Sequence, residues 1–201
     1  MHGIVHDFVV LNTVKDGDTY PTGNGPATNG RANELLPGFP SLKTQPIFKN
    51  VLEIGSLDIN GSMRDYNFVG VGPKWIDLIQ AENYIGIDLI EGRGVDQVMN
   101  SHRLEFRRNS FDLILCLSML EHDTNPIATI IEAYRVLKKG KPFILTTVSS
   151  EHEEHKHLGG GDKETYNYLR LEQVLKWLRS VGFRRIGYRN PATELLFVCV
   201  K

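Results

Sequence analysis

Apolar positions along this chain fall into two rhythms. Short apolar runs at Val51–Ile54, Tyr84–Ile87, Ser110–Leu117 and Phe143–Val148 read as strands, and the nearly continuous Ser110–Leu117 as one covered on both faces. Two other stretches show helical spacing. In the first, Asn125 is the N-cap candidate, Pro126 stands in the first turn, and Ile127, Ile130, Ile131, Tyr134 and Leu137 share a face. Lys138, Lys139 and Gly140 are predicted to stop that helix. In the second, Leu171, Val174, Leu175, Leu178 and Val181 line one face and Gly182 ends it. Pro73–Ile79 reads as a further helix, and Val95–Met99 as a short strand after a loop at Leu89–Gly94. Phe183–Tyr188 and Leu195–Val200, on either side of a turn at Asn190–Thr193, read as an antiparallel hairpin. This alternation predicts an α/β fold, a doubly wound and mostly parallel sheet closed by a C-terminal antiparallel hairpin.

Before the first run the pattern fades. Val5–Val14 would make a short strand, but Lys15–Pro46 is mostly Gly, Pro, Asn, Asp and Thr. Residues 1–49 are therefore expected to form an arm, either wrapped loosely on the domain or serving as a lid over a substrate pocket. Residues 50–201 are expected to form one domain. With 201 residues and 41% hydrophobic content, such a chain buries roughly 70% of its unfolded surface, so a full core is available.

Charge narrows the partners. Lys and Arg number 23 against 24 Asp and Glu, and a net charge of -1 gives no general attraction to nucleic acid or to an anionic membrane. There is no signal peptide pattern and no apolar run long enough to span a bilayer. Cys116 and Cys199 each lie inside an apolar run, as small buried thiols do, which suits a reducing, cytoplasmic setting.

The candidate chemistry gathers where strands end. Val51–Ile54 empties through Glu53 and Gly55 into Ser56 and on to Gly61, a place where a ligand can approach the backbone. One crossover later Tyr84–Ile87 ends in Asp88, whose carboxylate could accept from two ribose hydroxyls. The Gly-x-Gly-x-x-Gly of a pyrophosphate binder is missing, so the pair suits an amino-acid-bearing nucleoside better than a dinucleotide.

These pieces resemble the class I S-adenosylmethionine-dependent methyltransferases, in particular the small single-domain members. The resemblance runs over about Val51 to Lys201. It rests on Leu52-Glu53-Ile54-Gly55-Ser56 with Gly61, on Gly86-Ile87-Asp88, on Phe111-Asp112-Leu113-Ile114 through Glu121-His122, and on Tyr134–Lys141 before the fifth strand. It implies a seven-stranded sheet with the last strand inserted antiparallel, and S-adenosyl-L-methionine as cofactor. Carried over by position, Gly55 and Ser56 would meet the methionine portion, Glu53 would orient the loop or the ammonium, and Asp88 would bind the ribose. Leu89 would pack on the adenine, Asn100 or Ser101 would bond its edge, and Leu117 and Ser118 would lie by the sulfonium. Ser56-Leu57-Asp58 stands where many members have a second glycine.

Methyl transfer needs in-line positioning, helped by a base when the acceptor is a hydroxyl. The histidines that could serve are His122, after the fourth strand, and His152, His155 or His157, after the fifth; the reading also leaves room for no protein base. Beside three glycines, the run His152–His157 reads as a solvated loop, and no metal is expected. The metal-dependent RNA 3′-end methyltransferases are a variant of the resemblance, but Ser118 stands where they place a glutamate. Neither an Asp/Asn-Pro-Pro-aromatic motif nor a Pro-Cys nucleophile is present, which weighs against base methylation. The expected function is methyl transfer to an oxygen or nitrogen of a small molecule. A degenerate methyltransferase-like binding protein is the alternative.

Overall fold

The computed structural model describes residues 48–57, 81–150, 165–189 and 194–201. Its strands are β1 (Phe48–Ile54), β2 (Ala81–Asp88), β3 (Gln97–Val98), β4 (Leu113–Leu117), β5 (Pro142–Val148), β6 (Arg184–Arg189) and β7 (Glu194–Val200), with helices α1 (Pro126–Val136) and α2 (Leu171–Val181). They form one seven-stranded sheet in the order β3-β2-β1-β4-β5-β7-β6. β1 pairs in parallel with β2 on one side and β4 on the other, and β7 runs antiparallel between β5 and β6. This is the expected doubly wound sheet with its closing hairpin.

The pleat sorts the core. Leu52, Ile54, Ile114 and Cys116 point to the face that packs with Ile130, Ala133, Val136, Val174 and Leu178 of the two helices. Val51, Leu113, Leu115 and Leu117, offset by one residue, join Ile144 and Val198 on the other face. Both cysteines are free and fully buried. Burial pushes both thiols up, and at Cys116 the Asp123, Glu121 and Glu53 carboxylates push the same way, so neither is a nucleophile.

Three expectations are corrected. Strand β4 begins at Leu113 instead of Ser110, because Phe111 makes an isolated bridge with Leu137 and Asp112 turns to bond Asn50 and Lys138. Helix α1 ends at Val136, with no part played by Lys138–Gly140: Leu137 goes extended to meet Phe111, and Gly140, at φ 74°, serves a later turn. Ile131, expected on the buried face, is 48% exposed, and Thr129 and Ala133 hold the positions against the sheet. Asn125 does stand at the N-cap but makes no side-chain cap; Asp123 accepts its N–H at 2.8 Å instead. Residues 1–47 of the predicted arm, the helix at Pro73–Ile79 and the turn at 190–193 lie outside the described residues, while Phe48 and Lys49, expected in the arm, belong to β1.

Candidate functional site

Sheet order makes the site. β2 lies on one side of β1 and β4 on the other, so the connections leaving their carboxyl ends part at β1 and open a crevice. At the end of β1 the chain turns at Gly55, φ 76°, and the N–H groups of Gly55 and Ser56 both donate to Ile87 O, at 2.9 and 3.0 Å. That turn lays Leu57 against the next strand end, where its N–H donates to Asp88 Oδ2 at 3.1 Å while Ile90 N–H reaches Oδ1 at 3.3 Å. Two backbone donors thus hold the Asp88 carboxylate at the rim, and each oxygen keeps a lone pair for a ligand.

Other sequence-predicted residues take different places. Glu53 is buried and accepts the Tyr84 hydroxyl at 2.9 Å. The space left by the missing Cβ of Gly55 is filled by Met119, which closes β4's turn over it. Ser56 is buried, and its hydroxyl has no partner among the described residues. Leu89 is 65% exposed beside Asp88. Leu117 is buried at the end of β4; Ser118 follows at φ 48°, its N–H shared between Thr146 O and Oγ1. Asn100 lies exposed after β3, and Ser101 bonds Thr129 at 2.8 Å. Gly61, His152, His155 and His157 fall outside the described residues.

Glu121 and His122 part company within one short turn, Leu120–His122. Glu121 is fully buried and accepts the Thr147 hydroxyl at 2.8 Å, so it serves the core. His122 is half-buried, with its ring edge-on to Tyr166 at 5.6 Å, and Tyr166 meets Tyr168 at 5.3 Å. The segment carrying these tyrosines is tied to the same turn: Asn167 N–H donates to Glu121 O at 2.6 Å and its amide to Leu120 O and Asp123 O. Sequence reasoning passed over His102, whose Nε2 lies 2.5 Å from Asp123 Oδ1. Nothing in the spacing of the two residues signals that pair.

Residues 69–145 match a family model described as a methyltransferase domain. This match and the sheet order together show the Rossmann-like methyltransferase fold. Among curated relatives of the chain, a tRNA U34 carboxymethyltransferase of Wolinella succinogenes is 30% identical over 45% of the chain and 34% of its own length. A ubiquinone/menaquinone biosynthesis C-methyltransferase of Brucella canis is 25% identical over 94% of the chain and 78% of its length. The chain spans 60% and 34% of the lengths of the two relatives that are 30% identical to it. Among solved structures, phosphoethanolamine N-methyltransferase 2 of Haemonchus contortus with S-adenosyl-L-methionine shares the fold, with a TM-score of 0.58 at 16% identity over 79% of this chain and 50% of that one. No helix among the described residues is long and apolar enough to cross a membrane.

Proposed function

We propose that this protein is an S-adenosylmethionine-dependent methyltransferase that binds its cofactor across the carboxyl ends of β1, β2 and β4 and transfers the methyl group to an oxygen or nitrogen of a small molecule. Asp88 carries the reading. A carboxylate fixed by two backbone N–H groups at a strand end, with a lone pair free on each oxygen, suits a vicinal diol. The surroundings fit the same group: an exposed Leu89 for the base, Asn100 at the next strand end, and a buried Ser56 hydroxyl without a partner among the described residues. Leu117 and Ser118 would flank the sulfur. When bound, the cofactor supplies an electrophilic methyl group.

The chain's own part is positioning and, for a hydroxyl or ammonium acceptor, taking up a proton. His122, half-buried beyond β4, is our candidate for that role among the described residues; His152 and His155 are the candidates from the loop after the fifth strand. The buried, Thr147-bonded Glu121 argues against the metal-assisted variant, which needs the Glu-His pair to face one ion.

Calorimetry tests the cofactor assignment. S-adenosylhomocysteine should bind the wild type, and Asp88→Asn should weaken it about tenfold, the loss of one charge-assisted hydrogen bond. An unchanged affinity in Asp88→Asn removes the assignment. With labelled cofactor, label should pass to small amines or hydroxyls; transfer to carbon or to tRNA, as the relatives' names suggest for those proteins, overturns the acceptor.

A further inference from the structure

A net charge of -1 hides how the charges are sorted. Asp88, Glu121 and Asp123 follow strand ends, at the crevice, whereas cations gather where the parallel strands begin, at the opposite edge of the sheet. Arg107 and Arg108 precede β4, Lys139 and Lys141 precede β5, Lys201 follows the reversed β7, and Arg184 and Arg185 open β6. These strands are neighbours in the order β4-β5-β7-β6, and Val200 pairs with both Pro142 and Arg184. Lys201 ties the row together: its N–H donates to Lys141 O at 3.2 Å, and its ammonium to Asn109 Oδ1, beside Arg108, at 2.8 Å. With about 4.8 Å between strands, the row runs about 14 Å.

The carboxylates beside this row are already engaged. Asp112 meets Lys138 and Lys141, and Glu132 meets Arg135. Arg107, Arg108, Lys139, Arg184 and Arg185 are exposed and make no ion pair among the described residues. Lys201 is held below the ordinary lysine range by burial and then by the charges of Arg108 and Arg135, so like charges are pressed together here. The opening of β6 adds to the crowding. A regular strand turns successive side chains to opposite faces, but a register shift between Arg184 and Gly187, with Arg185 at φ 46°, leaves both arginines exposed. An anion laid along the row would relieve that repulsion.

One phosphate cannot reach two arginine pairs about 14 Å apart. A nucleic-acid strand can, since it carries a charge about every 3.4 Å along its axis, and arginine's planar fork suits phosphate oxygens. Among the described residues the exposed large apolar side chains are Leu89, Ile90, Val98, Ile131 and Tyr168, none of them in this row. Those residues therefore give unpaired bases no stacking platform here and a lipid surface no apolar wedge, and the outer backbone of a duplex is the partner that fits. We propose that the basic edge formed by Arg107, Arg108, Arg184, Arg185 and the lysines between them is a docking surface for the phosphate backbone of a nucleic-acid duplex. It stands apart from the crevice and does not rest on the cofactor reading; a duplex held there is tethered and is not the methyl acceptor.

The probe is a fluorescently labelled DNA duplex of about 20 base pairs, titrated by anisotropy at several salt concentrations. The full chain should bind it, with affinity falling as salt rises. Arg107→Gln/Arg108→Gln and Arg184→Gln/Arg185→Gln should each weaken binding about tenfold and lower the slope of log affinity against log salt by about two, since each pair gives up two phosphate contacts. Arg93→Gln/Arg103→Gln removes the same charge from exposed positions at the crevice edge and should change neither quantity. An equal loss in that control would show net charge alone at work and overturn the proposal. So would a response to just one of the two amino-edge pairs, tighter binding of a single strand, equal competition by polyglutamate, or a wild type that does not bind at low salt. None of these failures touches the cofactor reading, which calorimetry tests separately.

Discussion

At Gly55 a Cβ would lie 2.4 Å from Met119 Cγ and 2.6 Å from its Cβ, on a backbone with φ 76°. An alanine there meets a left-handed penalty of roughly 1–2 kcal/mol and an overpacking term of about 1–3 kcal/mol. Gly55→Ala should therefore lower unfolding free energy by about 2–4 kcal/mol in urea titration; a loss under about 1 kcal/mol would mean that Met119 yields freely. Thr147→Val probes the other buried carboxylate. It removes a hydroxyl that donates to fully buried Glu121, and losing one hydrogen bond to a carboxylate costs on the order of 1.5–3 kcal/mol, again read by denaturation. At this scale the sequence showed Gly55 and Asp88 clearly, because each is required by the local path of a strand end. It hid His102 and Asp123, whose pairing depends on two strand ends being brought together by the sheet.

Elements were legible wherever one periodicity ruled, as in β5, α2 and the closing hairpin. They were not legible where a distant partner decided the boundary. α2 ends as its sequence says, with Gly182 at φ 118° and its N–H on Leu178 O and Arg179 O. α1 ends where Leu137 is drawn to Phe111, a contact that no helix signal encodes. The glycines after the two helices should accordingly respond differently. A Cβ at Gly182 would stand 2.9 Å from the Tyr134 hydroxyl, whereas one at Gly140, φ 74°, meets nothing within 4 Å. Gly140→Ala should cost only the left-handed penalty of roughly 1–2 kcal/mol, and Gly182→Ala more, with a larger fall in melting temperature. Equal shifts would show that Tyr134 moves aside without cost.

Across the molecule the two edges of the sheet divide the labour. The carboxyl edge holds Asp88, Asn100 and His122. The amino edge holds an ionic cluster in which Lys138 Nζ meets Asp112 Oδ2 at 2.8 Å, Lys141 stands 3.7 Å from Oδ1, and Asn50 N–H adds a bond at 3.1 Å. Burial by itself would raise the Asp112 carboxyl; the Lys138 hydrogen bond, the Asn50 N–H and the charges of Lys138 and Lys141 together outweigh it and hold it below the ordinary carboxylate range. Glu132 is held low chiefly by its hydrogen bond from Arg135, against the effect of burial. A folded-state pKa below the unfolded one means that each group stabilises the fold above the usual carboxylate pKa of about 4, and that this contribution is lost as pH falls through the lower, folded value. Asp112→Asn should therefore be less stable than the wild type near neutral pH, and the difference should close on acidification. Its affinity for S-adenosylhomocysteine should not change, since the substitution sits at the opposite edge from the crevice. Asp88→Asn, at the crevice, should lose that affinity. Should Asp112→Asn lose ligand affinity while its melting temperature holds, the edges are coupled and this division of labour fails.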